Sequence, residues 1–243
     1  MDVDAGDLVL LRSCFDYHTD PDRFDAFVDA VAESPATLRN PPDLVRWNRH
    51  KFYLRDLADA GVPILETEFV NREADRSLQS VLDDRGWEKA VVKPAVGTSS
   101  AGVFRTERSS PDESAFAAAL ADRDLLVQAF APEIADGEWS FVFFGGTFAH
   151  ATRHVPADGE FRSQGTYGGT VTSPDPTPAL VDQARSVLDR ASAIEHIPSA
   201  RVDGVERDGR FVLMELELVE PYLSMGRRQG LVEQFVDAIE ASV

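Results

Sequence analysis

Lysine is almost absent from this sequence. Of its 24 Lys and Arg residues only three are lysines, Lys51, Lys89 and Lys93, so each invites a reason beyond surface solvation. Cysteine occurs once, as Cys14, which rules out an internal disulfide and suits a reducing cytoplasm. No apolar run reaches the length of a membrane span, and the opening Met1-Asp2-Val3-Asp4 is acidic where a secretory leader would be basic. Repeats and low-complexity stretches are missing as well. So are the Gly-Lys-Ser/Thr ending of a P-loop, a dinucleotide glycine fingerprint opening directly into a helix, and any Ser-His-Asp or Cys-His pattern.

What is present in excess is negative charge. Asp and Glu total 42, giving a formal net charge of -18 over 243 residues. A surface this acidic and this poor in lysine resembles those of salt-accumulating halophiles, where dissolved ions screen the self-repulsion. An ordinary acidic protein is the plainer alternative. The charge excludes nonspecific partnership with nucleic acid or an anionic membrane. Hydrophobic residues make up 43%, enough to build a packed core in one large domain or two small ones.

Along the chain, residues 7–12 read as a buried strand and 24–31 as a short amphipathic helix. Asn40-Pro41-Pro42 then breaks the pattern. Asn48 suits the N-cap of a helix running to residue 60, stopped by Gly61 and Pro63, with Lys51, Leu54 and Ala58 on one face. Residues 62–70 are extended, 78–85 helical, 89–93 a strand closed by Pro94, 114–121 helical and 125–130 a strand. Strands at 139–144 and 147–154 meet at Gly145-Gly146, a hairpin signal. The polar stretch 156–177, with Gly159, Gly165, Gly168 and Gly169, reads as a mobile loop suited to closing over a site. A helix over 178–194 turns Leu180, Ala184, Val187, Leu188 and Ala191 inward, two strands flank Asp208-Gly209, and a last helix covers 231–241. Short strands mixed with helices, and antiparallel hairpins in the second half, indicate α+β layers.

Three groups of residues carry chemistry. Lys93 on its strand, followed by the small-residue loop 97–102, can hold phosphates. Backbone N–H groups up to Gly102 approach closely, Ser99 and Ser100 hydroxyls donate, and the ammonium supplies charge. An ordinary turn is the competing reading. Next, Arg201 and Asp203 share one strand face, as do Glu215 and Glu217. Oxygen donors of this kind, completed by phosphate oxygens, suit Mg2+, and an adjacent arginine can neutralise a phosphoryl group in transfer. A solvated acidic edge is the alternative, opposed by the apolar run Phe211-Val212-Leu213-Met214, which marks a buried strand. Last, Gln128 and Phe130, with Glu133 and Glu138 after them, form a strand and connection able to meet an adenine edge and ribose hydroxyls.

The order of these groups resembles the ATP-grasp ligases over residues 47–226, and its details are similar to the branch that contains D-cycloserine-forming ligases. The resemblance implies an α+β ATP-grasp fold, two subdomains gripping ATP. Residues 1–46 would be a remnant of an amino-terminal α/β domain, 47–126 the first subdomain and 127–243 the second. It implies that Lys51 and Lys93 contact ATP phosphates, with Lys93 near the adenine as well, and that Glu138 binds the ribose. It also implies Asp203, Glu215 and Glu217 as ligands of two Mg2+ ions, and Arg153, Arg162 and Arg201 as cations near the γ-phosphate and an acyl phosphate. Arg153 and Arg162 can equally be read as surface arginines of a loop. Many family members carry Glu-x-Asn where this chain has Glu215-x-Glu217, and Glu220 is a competing ligand. The implied reaction phosphorylates a small-molecule carboxylate and then lets an amine-type nucleophile displace phosphate. A phosphotransferase on the same fold, or a nucleotide-binding module inactive without a longer amino terminus or a partner, are the alternative functions.

Two structural expectations are sharp. A two-residue turn at Asp208-Gly209 would put Asp203 opposite Met214 and split the carboxylates between two faces. A three-residue loop, 207–209, pairs Glu206 with Arg210 and Arg201 with Glu215, bringing Asp203, Glu215 and Glu217 together, and is the register expected. The run Leu8-Val9-Leu10-Leu11 is expected to be a strand buried on both faces, yet the 46 residues before Trp47 supply little to bury it. An amino-terminally shortened protein is therefore expected, or an edge covered by a second subunit in a homodimer.

Overall fold

The computed structural model describes residues 4–163, 167–191 and 197–243. The amino-terminal layer is small. Strand β1 (Leu8–Leu10) lies parallel to β2 (Thr37–Arg39), joined through helix α1 (Pro21–Ala32). Asp20 caps α1 by accepting from Arg23 N at 3.1 Å, and Pro21 opens it with a fixed φ. Phe24, Val28 and Val31 of that helix pack on Tyr17, Leu38, Val45 and Val219. β1 itself is half-buried, not covered on both faces as expected, since β2 is its one strand neighbour among the described residues.

The next segment corrects a second expectation. Helix α2 (Pro42–Asn48) ends where a helix was expected to begin, and α3 (Tyr53–Asp59) follows after a turn. Asn48 caps neither helix. Its buried amide donates to Leu216 O and accepts from Leu218 N, both at 2.8 Å, while the Tyr53 hydroxyl accepts from Leu216 N at 2.8 Å. The α2–α3 turn is thereby docked on a distant strand, and those hydrogen bonds replace a local cap.

Four antiparallel strands form one sheet: β3 (Thr67–Val70), β4 (Lys89–Pro94), β5 (Phe104–Glu107) and β6 (Leu125–Ala129), in the order β3-β6-β4-β5. Helices α4 (Leu78–Arg85) and α5 (Glu113–Leu120) cover one face with Leu78, Val81, Leu82, Phe116 and Leu120. Full burial of such side chains stabilises by about 1.5–3 kcal/mol each. Strand alternation leaves Val91, Lys93 and Gln128 on the opposite face. All of β6 belongs to this sheet, so the chain changes sheets after Ala129.

The second sheet has the order β11-β10-β7-β8-β9, all antiparallel, built from β7 (Glu138–Phe144), β8 (Thr147–Val155), β9 (Thr170–Thr172), β10 (Ser199–Arg207) and β11 (Arg210–Glu217). β9 interrupts the stretch read as a loop; three residues are too few to show a period. The glycine expected in that loop at Gly165 and the helix end expected at Ile194 lie outside the described residues. Helix α6 (Pro178–Leu188) packs with Phe141, Phe143, Val202 and Leu213 behind the sheet. On the front, helix α7 (Leu231–Ala241) shares a cluster with Val142, Phe144 and Leu223. The segment leading into β3 is tied to β11 at Leu213: Leu65 N donates to its carbonyl at 3.0 Å, and its N–H donates to Pro63 O at 2.8 Å.

The β10–β11 register differs from expectation in an instructive way. Arg207 faces Arg210, so the turn is the two-residue kind, with Asp208 at φ 52 and Gly209 at φ 74. The expected three-residue loop is wrong. The parity it was meant to supply comes from a bulge, because Gly204 pairs with Leu213 while Asp203 pairs with Glu215, leaving Met214 as the extra residue. Arg201 then faces Glu217 instead of Glu215. Gly204 is required there: a Cβ would lie 2.3 Å from Val212 O and 2.6 Å from Cζ of Phe211.

Candidate active site

A cleft of about 410 Å³ opens between the two sheets. From the four-stranded sheet it receives Lys93 and Gln128, from the α2–α3 turn Lys51, and from the other sheet Glu138, Ser140, Thr152, His154, Arg201, Asp203, Glu215 and Glu217. Ser99 and Ser100, on the loop after β4, line it with left-handed backbone (φ 52 and 57). Non-glycine residues seldom adopt that conformation away from ligand sites and tight turns.

Each expected metal ligand is engaged by a cation. Lys51 Nζ donates to Glu215 Oε1 at 2.6 Å and to Gly97 O at 2.9 Å. Arg201 Nε lies 2.9 and 3.0 Å from the two Asp203 oxygens, and its terminal nitrogen bridges Asp203 Oδ2 at 2.8 Å to Glu217 Oε1. Lys93 Nζ donates to Gln128 Oε1 at 2.7 Å, and Gln128 in turn donates to Thr67 Oγ1 at 3.2 Å. Among the described residues no three Asp, Glu, His or Cys side chains stand as a ready-made metal cage.

Burial sets the proton affinities, and partners correct it. Burial alone would pull the Lys51 ammonium down; Glu215 overrides this and holds it above its usual value. Burial pushes Glu215 up, and Lys51 brings it below the usual range. Lys93 stays lowered by burial, with Glu215 and Glu138 only partly restoring it. Glu217 is pushed well up by burial despite Arg201, with Asp203 and Glu215 adding repulsion. Glu138 is raised to about 7 by burial and the nearby Asp203, although Ser163 Oγ donates to it at 2.5 Å.

Glu138 yields a pH prediction. Its folded value lies above the ordinary 4.5, so the folded state holds the extra proton. The stability it adds is complete below the ordinary value and is lost as pH rises through about 7. Glu138→Gln is therefore expected to lose less stability than the parent between pH 5 and pH 8, in urea unfolding at about those two values. An unchanged difference between the two pH values would count against a buried, under-compensated Glu138.

The structure brings most of the expected site residues together. Lys51, Lys93, Ser99, Ser100, Gln128, Phe130, Glu138, Arg162, Arg201, Asp203, Glu215 and Glu217 all line the cleft. Two do not. Arg153 is a correction: alternation along β8 turns Thr152 and His154 to the cleft and Arg153 to the other face, over the Trp139 ring at 5.2 Å. Gly102 is the second, since it makes the turn into β5 (φ 71), with a Cβ position 3.1 Å from Pro94. Arg162 is pinned by Glu160 at 2.7 Å and lies over the Tyr167 ring at 3.6 Å. Phe15, Thr98, His154 and Tyr222 were missed. For His154 the period of β8 was a usable signal, whereas Phe15 and Thr98 meet only in three dimensions, where Thr98 Oγ1 donates to Phe15 O.

Comparison with known proteins agrees with this geometry. The profile of the prokaryotic glutathione synthetase ATP-grasp domain matches residues 64–189, more than half the chain. The chain belongs to that family. It is an ATP-grasp enzyme of the ligase type, and the paired sheets around the cleft are the ATP-grasp fold. Among sequence relatives of this ATP-grasp chain is the cycloserine biosynthesis protein DcsG of Streptomyces lavendulae, 29% identical over 95% of this chain and 81% of DcsG. The crystal structure of D-cycloserine synthetase DcsG superposes with a TM-score of 0.84 at 27% identity, covering 96% of this chain and 82% of that one. Glutathione synthetase of Bordetella parapertussis is 28% identical over 66% of this chain, which spans only 47% of that protein. The ATP-grasp ligase PsnB, solved with a minimal precursor, Mg and ADP, shares the fold at 16% identity, with a TM-score of 0.63 and coverage of 97% and 77%.

Proposed function

We propose that this enzyme activates a small-molecule carboxylate with ATP and joins it to an amine-type nucleophile. One observation carries the reading: Lys51, Lys93, Glu138, Arg201, Asp203, Glu215 and Glu217, scattered along the chain, line a single cleft between two sheets. In this scheme Lys51 and Lys93 bind the phosphates, with Ser99 and Ser100 donating beside them. Gln128 and Phe130 border the adenine, Glu138 holds the ribose hydroxyls, and Arg162 and Arg201 meet the transferring phosphoryl group. Subdomains 47–126 and 127–243, after an amino-terminal piece 1–46, belong to the same proposal. Similarity to a D-cycloserine synthetase points the substrate class toward small amino-acid-like molecules.

The charge census bears on Mg2+. Five carboxylates line the cleft (Glu138, Asp203, Glu215, Glu217, Glu220) against four cations (Lys51, Lys93, Arg162, Arg201). Asp203, Glu215 and Glu217, gathered on one face, would repel a triphosphate, and a divalent cation held among them would bring the two together. Asp203, Glu215 and Glu217 would hold it, as two ions in this proposal, and their oxygen-only donor set fits Mg2+. Bound there, Mg2+ would supply Lewis-acid neutralisation of phosphate charge. The substrate carboxylate oxygen attacks the γ-phosphorus, and ADP leaves with the bridging oxygen. The amine lone pair then attacks the acyl carbon, phosphate departs with the electrons of the broken C–O bond, and the proton the amine gives up passes to that phosphate. A cytoplasmic, high-salt setting is part of the proposal, resting on one cysteine and a net charge of -18.

The test begins with the nucleotide. Lys93→Ala is expected to weaken ATP binding by roughly 1.5–3 kcal/mol, about ten- to a hundredfold, because a buried ammonium is removed. Calorimetric titration of ATP with Mg2+ reads it, and an unchanged dissociation constant removes Lys93 from the site. Mass spectrometry of products from ATP and pooled amino acids in high salt then separates a condensed product from a stable phosphorylated one, which would mean phosphotransfer.

A further inference from the structure

Four of the five carboxylates in the cleft have a hydrogen-bonded partner: Asp203 and Glu217 have Arg201, Glu215 has Lys51 and Glu138 has Ser163. Glu220 differs. It is 7% exposed and lines the cleft, yet its carboxylate takes a hydrogen bond from its own backbone N–H and, among the described residues, from no other group. Meanwhile the backbone that carries it is held firmly on both sides. Asn40 donates to Leu218 O, Asn48 accepts from Leu218 N at 2.8 Å, Arg12 donates to Pro221 O at 3.2 Å and Arg201 donates to Tyr222 O at 3.3 Å. Leu218 and Val219 are buried in two different hydrophobic clusters. The segment is thus pre-organised around one carboxylate with no ion-pair partner among the described residues.

An unpaired carboxylate taken out of water is costly, and the cost falls when a cation arrives. Burial raises Glu220 to about 7, with Lys51 opposing and Glu215 adding. Its neighbourhood suits an organic cation. Phe15 and Tyr222 line the same cleft with exposed rings, 42% and 67% accessible. Cys14, beside Phe15, is itself raised to about 11 by burial with the Glu220 charge adding, so the two segments meet at this end. The aromatic rings of Phe15 and Tyr222, which offer no oxygen ligand beyond the Tyr222 hydroxyl, match a substituted ammonium better than a hard divalent ion.

We propose that Glu220 binds the protonated amine of a small amino-acid-like substrate, in the part of the cleft that Phe15 and Tyr222 also line. For the substrate class this rests on the ligase reading above; the placement rests on Glu220 alone.

Saturation-transfer NMR on the full chain, with Mg2+ and a non-hydrolysable ATP analogue, tests it with two probes. Alaninamide carries the ammonium without a carboxylate, and propionamide lacks the ammonium. Alaninamide is expected to bind and propionamide not to, and Glu220→Gln is expected to weaken alaninamide about tenfold or more. Equal binding of both amides, binding of neither, or an alaninamide signal unchanged in the variant overturns the assignment. So does loss of Mg2+-dependent nucleotide binding in Glu220→Gln, which would make Glu220 a metal ligand. The analogue's own binding to the parent chain is read in the same samples, so failure of the ligase reading appears separately, as a nucleotide that does not bind.

Discussion

Replacing Arg201 by Met is expected to destabilise the folded chain by about 3–5 kcal/mol, the range for removing one partner of a buried ion pair. The guanidinium lies between two carboxylates whose side chains are 4% and 21% exposed, against its own 17%. Methionine fills much of the same space, so the loss reports charge more than volume. Removing the cation leaves Asp203 and Glu217 without their shared ion-pair partner, while Glu215 keeps Lys51. Urea unfolding in the presence of a chelator measures the effect. A companion Arg201→Met, Asp203→Asn variant should recover part of the loss, and the difference between the cycles isolates the pair. A loss under about 1 kcal/mol would mean the pair is effectively solvated.

The second large effect concerns turnover. Glu215→Gln keeps the side chain's size but removes the charge that faces Asp203 and holds Lys51. ATP-dependent ADP formation, with the carboxylate found by the product screen, is expected to fall about 10²–10³-fold, comparable to losing one preorganised charge-stabilising group. The fall should lie in kcat, because the group acts where phosphoryl charge is in motion. A loss smaller than about fivefold would restrict Glu215 to positioning Lys51.

Much of this was legible in the residues, and the exceptions have physical causes. Helices over Leu78–Arg85 and Leu231–Ala241 were readable at their ends because periodic apolar residues carry them. The hairpin at Gly145-Gly146 was equally plain, since both glycines take positive φ. Asn48 misled because its amide bonds to a strand far along the chain, which no local rule can see. The carboxylate convergence was anticipated for the wrong reason. Turn length is one source of odd parity, and Gly204 inside a strand is another, a bulge signal. Arg153 failed on strand alternation that was already in view, while the Phe15 contact depends on packing between distant segments.

Leu213 links two distant parts of the chain. That residue stands opposite Gly204 in the larger sheet and, along the outer edge of β11, exchanges hydrogen bonds with Pro63 and Leu65 at 2.8 and 3.0 Å. It joins the chain that leads into β3 to the edge of the larger sheet. Directly after it comes Met214, the surplus residue of the bulge, and then Glu215. One residue therefore does two jobs: it anchors the chain entering β3 to the outer edge of β11, and it fixes where the bulge falls and hence which face Glu215 takes.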